Sequence, residues 1–231
     1  MIAPFQVIYE DNHLLVVNKA SGILVQGDIT GDVPLVELCK SYIGKKYGKP
    51  GAVFLGVVHR IDRPVSGIVV LARTSKSLER MNALFRESKT KKTYWAITES
   101  RPAAESGILV HWLIKDEKKN RTTAFPRETP GTLRSELSYE VIGQRDNQWL
   151  LSVNPVTGRP HQIRVQLSSM GCPIKGDVKY GSPGALEDGS IALHAKKLQF
   201  VHPVKKELIV LEAPLPRTIG WKPFSNFQEP R

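Results

Sequence analysis

The residues whose types and spacing could do chemistry lie in a short charged segment, in which Asp62 stands between Arg60 and Arg63. Apolar runs flank this segment at 53–58 and 68–72, and each has the length and composition of a buried strand. Nearby positive charge favours the ionised form of a carboxylate. Asp62 is therefore a candidate nucleophile or base, and a purely structural ion-pair loop is the alternative that these residues leave open.

The composition indicates a polyanionic partner. The 231 residues include 33 Lys and Arg against 22 Asp and Glu, which gives a net charge of +11 and a long-range attraction for phosphate groups. Charge alone does not separate RNA from DNA or from an anionic membrane. The length allows one large domain or two small ones, and we expect one catalytic domain over 1–231.

Other features of the sequence exclude several classes of protein. Cys39 and Cys172 lack the C-x-x-C spacing of a thiolate metal site and form no disulfide framework, so we expect a reducing cytoplasm. No apolar run approaches the ~20 residues of a membrane span, and Pro4 and Gln6 interrupt the place of a signal sequence. The six histidines have no zinc-type spacing, and we expect no metal.

Hydrophobic periodicity predicts many strands and a few amphipathic helices. The expected strands include 13–19 and 23–25, which should pair as a hairpin, and 93–97, 107–113, 136–141, 149–153 and 207–211, with a surface hairpin around 115–120. The expected helices follow an N-cap at Asp32, follow a cap at Thr74 or Ser75, and start at Pro160. This order predicts an α+β fold with a largely antiparallel sheet.

The central segment can be compared with known catalytic motifs. Residues 59–67 read His-Arg-Ile-Asp-Arg-Pro-Val-Ser-Gly, which resembles the H-R-[LI]-D-R-x-x-S-G motif of the RluA-like pseudouridine synthases. The H-R-D of protein kinases is a different pattern, because Ile61 here separates Arg60 from Asp62. Lys92-Thr93-Tyr94-Trp95-Ala96 is similar to the family's second motif, K-x-Y-x-A.

Further motifs extend the resemblance from about Asp11 to Pro214. Residues 157–167 are similar to the family's T-G-R-T-H-Q-I-R-V-H-L, with Pro160 in place of Thr and Gln166 in place of His. Residues 18–22 are similar to the family's N-K-P-x-G, with Ala20 in place of Pro, and residues 171–181 match its G-x-P-I-x-G-D-x-x-Y-G. This motif-bearing core leaves no room for the small N-terminal S4 module, which binds RNA in many relatives.

The resemblance implies a protein that isomerises uridine to pseudouridine in structured RNA. We expect a monomer, with neither DNA nor a membrane as partner. No cofactor is expected, since the reaction involves no redox change and consumes nothing. The implied fold is a mixed, largely antiparallel sheet with flanking helices and a central catalytic cleft. The implied catalytic residues are Asp62, Tyr94 and Arg164, and the implied RNA contacts are Arg60, His59, Arg63, Lys92, Arg159, His161 and Gln162.

The resemblance also implies individual roles. Arg164 would pair with Asp62, Tyr94 would lie against the uracil, and Arg60 would enter the RNA where the base has left. The chemistry of Asp62 stays open among attack at C1′, attack at C6 and a proton abstraction that gives a glycal.

Two other classes of function also stay open: a non-catalytic RNA-binding or ribosome-assembly protein, and a hydrolytic nucleosidase that releases uracil. The motifs do not choose between large-subunit ribosomal RNA and transfer RNA, because site choice depends on RNA shape and peripheral loops.

Overall fold

The computed structural model describes residues 3–48 and 51–227. Its strands and helices are β1 (Phe5–Glu10), β2 (Leu14–Lys19), α1 (Leu35–Tyr47), β3 (Gly56–Val57), β4 (Ser66–Ala72), α2 (Ser75–Arg86), β5 (Lys91–Thr98), β6 (Ser106–Asp116), β7 (Arg121–Phe125), β8 (Leu133–Arg145), β9 (Gln148–Pro155), α3 (Gln162–Ser169), β10 (Leu193–Val201) and β11 (Leu208–Glu212). This content confirms the predicted α+β class. Within the described ranges, no helix is long and apolar enough to cross a membrane.

The chain divides into two compact units. The first consists of residues 1–91 and 195–214, and the second of residues 92–194 and 215–231. The single catalytic domain expected over 1–231 stays a prediction.

The core of the first unit is built around β4, in which every residue is buried. This uniform burial explains the unbroken apolar run after the charged loop, since a strand covered on both faces shows no alternation. The strand β2 pairs antiparallel with β4, from Leu14 opposite Ala72 to Lys19 opposite Gly67. The short β3 also pairs with β4, and β1, which the sequence analysis missed, pairs with β2.

The predicted hairpin between 13–19 and 23–25 is wrong. Residues 23–25 form no strand, and the backbone carbonyls of Leu24 and Val25 instead accept hydrogen bonds from the first two N–H groups of α1, at 2.7 and 3.2 Å. The first N–H groups of a helix have no partner inside the helix. The apolar segment therefore caps α1, and β2 pairs with β1 and β4.

The two predicted helix caps of the first unit have different outcomes. Asp32 is not the N-cap of α1, because Pro34 occupies that position without a side-chain hydrogen bond. Thr74 is confirmed as the N-cap of α2, where its hydroxyl accepts from the Ser77 N–H in a capping box. Cys39 is fully buried in the core, as expected for a small apolar residue.

The second unit contains the antiparallel ladder β5-β9-β8-β6-β7. The hairpin between β6 and β7 confirms the surface hairpin that the charges at 115–120 predicted. The helix α3 begins at Gln162, two residues after the predicted start at Pro160. His161 has a φ of 53°, which lies outside the helical region and delays the first turn.

The C-terminal segment, for which the sequence made no prediction, covers part of the second unit's core. It contains a 3₁₀ turn at Ile219–Phe224, in which Trp221 and Phe224 are buried. The Trp221 ring packs edge-on against His194, and Phe227 packs edge-on against Trp95. This segment therefore supplies large aromatic side chains to the packing of β5 and β10.

Candidate active site

Asp62 lies half-buried in the loop between β3 and β4, and this loop is fixed through its backbone. The carbonyl of Asp62 accepts a hydrogen bond from the Val65 N–H at 3.1 Å, and the Arg63 carbonyl accepts from the Gly22 N–H at 2.8 Å. The Arg63 side chain donates from Nε to the Gly22 carbonyl at 3.0 Å, and its Nη2 lies 2.7 Å from Asp32 Oδ2. Arg63 therefore holds the loop to the segment that follows β2.

The buried ammonium of Lys19 forms the second attachment of this loop. Lys19 is 0% exposed, and its Nζ donates to the carbonyls of Ala20, Ile23 and Arg63 at 2.9, 2.8 and 3.2 Å. These acceptors match the three N–H groups of an ammonium. Burial lowers the pKa of Lys19 to about 7, against an opposite and smaller effect of the Asp62 carboxylate. Lys19 thus fixes the Arg63 carbonyl immediately after Asp62.

The two residues at the start of the loop have contrasting surroundings. The His59 ring stacks on Phe85, with ring centroids 4.6 Å apart, and its Nε2 accepts from the Val70 N–H at 3.1 Å. These contacts hold His59 against β4 and α2. Arg60 is exposed, and no hydrogen bond or ion pair joins it to the residues that the structure describes. Of these two predicted RNA contacts, Arg60 has the geometry of an open surface contact.

Gly67, the last residue of the loop motif, is required by close packing. Its φ is 115°, a backbone conformation that residues other than glycine rarely adopt. A Cβ at this position would lie 2.5 Å from the backbone nitrogen of Ala195, and closer still to the carbonyl oxygen of Ala195. Gly67 therefore lets the backbone of β4 approach that of β10.

Lys92 and Tyr94 lie on the same face of β5, because side chains two residues apart on a strand point the same way. Both are partly buried, and Tyr94 stands opposite Val153 of β9. Trp95, on the other face, is 3% exposed and belongs to the core. Only Tyr94 of this aromatic pair is therefore available to stack on a base.

The turn at 157–162 is held by one buried amide. Gln162 is 4% exposed, and its Oε1 accepts from the Thr157 hydroxyl at 2.8 Å and from the Arg159 N–H at 2.9 Å. Its Nε2 donates to the Glu136 carbonyl at 3.1 Å. Gln162 therefore positions the turn from inside, whereas the Arg159 side chain is exposed.

Arg164 projects from α3 into a buried ion pair. Its Nε lies 2.7 Å from Asp177 Oδ2 and its Nη2 lies 2.8 Å from Oδ1, with side-chain exposures of 6% and 1%. This bidentate geometry fixes the plane of the guanidinium. The pair with Asp177 uses two of the five N–H donors of an arginine. The expected pairing of Arg164 with Asp62 stays a prediction.

Tyr180 connects the Arg164 side chain to Thr122 and His161. Its hydroxyl accepts from the Thr122 N–H at 2.8 Å and lies 2.7 Å from His161 Nδ1, to which its own proton can be donated. The Arg164 guanidinium lies over the Tyr180 ring at 4.9 Å, a cation–π arrangement. Burial raises the pKa of the Tyr180 hydroxyl. His161 is therefore tied to the same cluster as Arg164.

Comparison with known families decides the identity of the fold. Residues 13–169 match the model of a family described as RNA pseudouridylate synthase, and this match covers more than half of the chain. The chain belongs to that family.

Sequence relatives within the RNA pseudouridylate synthase family cover most of this chain. Ribosomal large subunit pseudouridine synthase C of Vibrio cholerae is 34% identical over 215 residues, which are 90% of this chain and 65% of that protein. An uncharacterized RNA pseudouridine synthase of Bacillus subtilis, YhcT, is 32% identical over 212 residues, or 91% and 68% of the two chains. The chain thus spans about two thirds of the length of these relatives.

Solved structures confirm the predicted pseudouridine synthase fold. Human RNA Pseudouridylate Synthase Domain Containing 4 matches with a TM-score of 0.76 and 25% identity, over 91% of this chain and 88% of that chain. Human RNA Pseudouridylate Synthase Domain Containing 1 matches with a TM-score of 0.72 over 92% and 84% of the two chains. Its 22% identity supports the fold alone.

Three residues that hold the family motifs in place were not predicted from the sequence: Lys19, Asp177 and Tyr180. Each lies inside a motif that the sequence displays, the first in N-K-P-x-G and the other two in G-x-P-I-x-G-D-x-x-Y-G. A lysine directly after the apolar run 14–17 and Asn18, within a predicted core strand, was the available signal for Lys19. The catalytic and RNA-binding roles assigned from the motifs stay predictions.

Proposed function

We propose that this chain is an RNA pseudouridine synthase, which isomerises specific uridines to pseudouridine by an aspartate-dependent rearrangement of the glycosidic bond. The observation that carries the proposal is the fixed Asp62 loop. A half-buried carboxylate is presented there between β3 and β4, on a backbone held by Lys19, Gly22 and the Arg63–Asp32 ion pair. Preorganised charge of this kind stabilises a transition state without reorganisation during the reaction.

The proposed reaction breaks the bond between C1′ and N1 of uridine, turns the detached uracil and rejoins it through C5. Asp62 supplies the anion, as nucleophile or as base. Tyr94, whose side chain is partly exposed on β5, stacks its ring on the uracil. Arg164 provides a cation whose orientation is fixed by Asp177. No electron leaves the substrate and nothing is consumed, so the proposal includes neither cofactor nor metal.

The proposed substrate is structured RNA, from which the target uridine is flipped out at a cost of a few kcal/mol. Arg60, exposed at the start of the Asp62 loop, inserts where the base has left. Large-subunit ribosomal RNA is the first target to test, because relatives such as the Vibrio cholerae protein carry that substrate in their names. Transfer RNA is the second. We further propose that the protein works as a monomer in the cytoplasm.

The test is pseudouridine mapping by carbodiimide labelling in cells that lack the gene and are complemented with wild type, Asp62→Asn or Asp146→Asn. Asp146 is an exposed aspartate in the turn between β8 and β9, so its variant is a control for the change of carboxylate to amide. We expect wild type and Asp146→Asn to restore the same pseudouridine and Asp62→Asn to restore none. Restoration by Asp62→Asn would refute the proposed chemistry.

The same cells and the purified protein separate the alternative functions. A non-catalytic RNA-binding protein would leave the pseudouridine pattern unchanged when the gene is lost. A nucleosidase would release free uracil from purified RNA, whereas a synthase releases none because the ring is rejoined to the same sugar.

The Tyr94 hydroxyl can be tested separately from the ring. Tyr94→Phe keeps the stacking surface, so we expect RNA affinity to stay within about twofold, since stacking depends on the ring face. We expect turnover to fall, because in this proposal the hydroxyl moves a proton. A variant as fast as wild type would leave stacking as the whole role of Tyr94.

A further inference from the structure

The ammonium of Lys92 is a partly buried charge without a protein partner. Among residues 3–48 and 51–227, no hydrogen bond or ion pair involves the side chain of Lys92. The register of β5 and β9 places Lys92 opposite Pro155, the last residue of β9, because Tyr94 pairs with Val153. The Lys92 side chain therefore lies where β9 leads into the turn at 157–162, on the same face as Tyr94.

Glycine at position 158 leaves space beside this ammonium. A Cβ on Gly158 would lie 3.9 Å from Lys92 Nζ, and Gly158 does not have a positive φ that would itself demand glycine. Gly158 is exposed, and its N–H donates to no acceptor in the described part of the chain. Gly158, with its unbonded N–H, therefore lies beside the Lys92 ammonium, and the exposed Arg159 follows it in the turn.

In the described part of the chain, no carboxylate forms an ion pair with the Lys92 ammonium. Glu136 is the acidic residue whose backbone holds the turn, and its carboxylate is paired with Arg134 at 2.6 Å. Burial lowers the pKa of Lys92, as expected for an ammonium that lacks a counter-charge. A buried charge without a partner is costly, and a bound anion removes that cost.

We propose that Lys92, together with the Gly158–Arg159 backbone turn, binds a phosphate of the RNA backbone adjacent to the nucleotide that stacks on Tyr94. The inference rests on the proposed function, since it takes RNA as the ligand and Tyr94 as the base contact. It adds that the second and third motifs share one phosphate, which sets the position of the sugar relative to the Tyr94 ring. Lys92 is a binding and positioning residue in this proposal, and no bond is made or broken at it.

The test compares Lys92→Met with Lys91→Met, which removes the same charge from the adjacent, exposed residue on the opposite face of β5. The binding probe is a short oligouridylate, titrated over a range of salt concentrations. We expect Lys92→Met to bind about tenfold more weakly at low salt, with the slope of log K against log salt reduced by about 0.7 for the one lost phosphate contact. Lys91→Met should change both quantities much less.

Gly158→Ala tests the space rather than the charge. It retains Lys92 but fills the position where the phosphate would lie, so we expect weaker oligouridylate binding and an unchanged midpoint of urea unfolding. Normal binding by this variant, or equal losses in Lys92→Met and Lys91→Met, would overturn the phosphate site.

Pseudouridine formation separates this inference from the proposed function. The substrate is deproteinised large-subunit ribosomal RNA or transfer RNA from cells that lack the gene. We expect Lys92→Met to raise KM more than it lowers kcat. If wild type forms no pseudouridine in either RNA, the proposed function fails, whatever the oligouridylate result. If wild type is active and Lys92→Met retains its KM and salt slope, the phosphate site alone fails.

Discussion

Of the segments that carry motif residues, the Asp62 loop and the turn at 157–162 are each held by a different kind of side chain. In the first unit, the ammonium of Lys19 donates to three carbonyls and fixes the loop of Asp62. In the second unit, the neutral amide of Gln162 bonds to a hydroxyl, an N–H and a carbonyl, and fixes the turn before Arg164. The Lys19 ammonium therefore titrates near neutral pH, whereas the Gln162 amide does not titrate.

The difference shows what each attachment costs the fold. A buried ammonium must be desolvated, and its charge is only partly compensated by carbonyl dipoles. An amide whose donors and acceptors are matched costs little and is insensitive to pH. The Asp62 loop should therefore respond to pH and to removal of charge, whereas the turn at 157–162 should respond only to removal of hydrogen bonds. A third arrangement, the Arg164–Asp177 pair, combines charge with full compensation.

The largest expected effect is at that ion pair. Arg164→Met leaves the carboxylate of Asp177, whose side chain is 1% exposed, buried without its bidentate partner. Breaking a buried pair on one side costs about 3–5 kcal/mol of unfolding free energy. We expect a loss of this size in urea unfolding of the purified variant, together with loss of pseudouridine formation.

The double variant Arg164→Met, Asp177→Leu is the matched control. It replaces both charges by apolar groups, so most of the lost stability should return while the activity stays absent. A double variant that is as unstable as Arg164→Met would mean that packing around Tyr180, rather than an uncompensated charge, explains the loss.

The second expected effect is at Lys19. The pKa of Lys19 falls from its ordinary 10.5 to about 7 in the folded protein, so between these values the unfolded chain binds more protons. The contribution of Lys19 to stability is therefore full above 10.5 and declines as the pH falls towards 7. We expect wild type to gain stability over Lys19→Met as the pH rises from 7 to 9, by at most about 1.4 kcal/mol per pH unit.

Urea unfolding of both proteins at pH 7, 8 and 9 measures this difference. The comparison between the variants removes the titration of all other groups. A difference that stays constant over this range would show that the Lys19 ammonium remains fully charged in the fold, and that the contrast with Gln162 lies in geometry alone.

The sequence predicted the elements whose patterns are local, and missed the contacts that depend on distant segments. The continuous apolar run at 68–72 located β4, and the capping pattern located Thr74. The same rules failed at 23–25, because an apolar segment that caps α1 through its carbonyls has the composition of a strand. They also gave Asp32 the role of a cap, although its carboxylate pairs with Arg63, more than thirty residues away.

In the candidate site too, residue types could be predicted from the sequence, but contacts between side chains could not. Motif resemblance identified Asp62, Tyr94 and Arg164 by residue type, and family membership followed from the match. It gave no reason for Gln162 to be an internal support rather than an RNA contact. That distinction comes from burial, which the motif letters do not contain.

A third effect, of a size comparable to that at Lys19, is expected at Gln162. Gln162→Leu removes the amide and leaves the Arg159 N–H and the Glu136 carbonyl with fewer partners, at a cost of about 1–3 kcal/mol. Because the turn loosens, pseudouridine formation should fall more than tenfold at every pH between 7 and 9. The measurements are urea unfolding and turnover on the same RNA.

Gln166→Met serves as the control on the same helix. Gln166 is 0% exposed and its Nε2 donates to the Leu109 carbonyl at 3.1 Å, outside the turn. We expect a smaller loss of stability, because Gln166 Oε1 is buried without a hydrogen-bond partner in the described part of the chain. Turnover should stay within about twofold of wild type, because the turn at 157–162 keeps its hydrogen bonds to Gln162. Equal losses of turnover in both glutamine variants would remove the specific role of the turn.

The smallest expected effect is at the cap of α2, which lies in the same unit as the Asp62 loop but makes none of the loop's contacts described above. Thr74→Ala removes the hydroxyl that accepts from the Ser77 N–H at 3.1 Å, and loss of such a cap costs about 1 kcal/mol. Unlike Lys19→Met, the variant should lose the same stability at pH 7 and at pH 9, and its turnover should equal that of wild type. Urea unfolding and turnover at both values measure this, and a drop in turnover would show that the Asp62 loop depends on the stability of the whole unit rather than on Lys19.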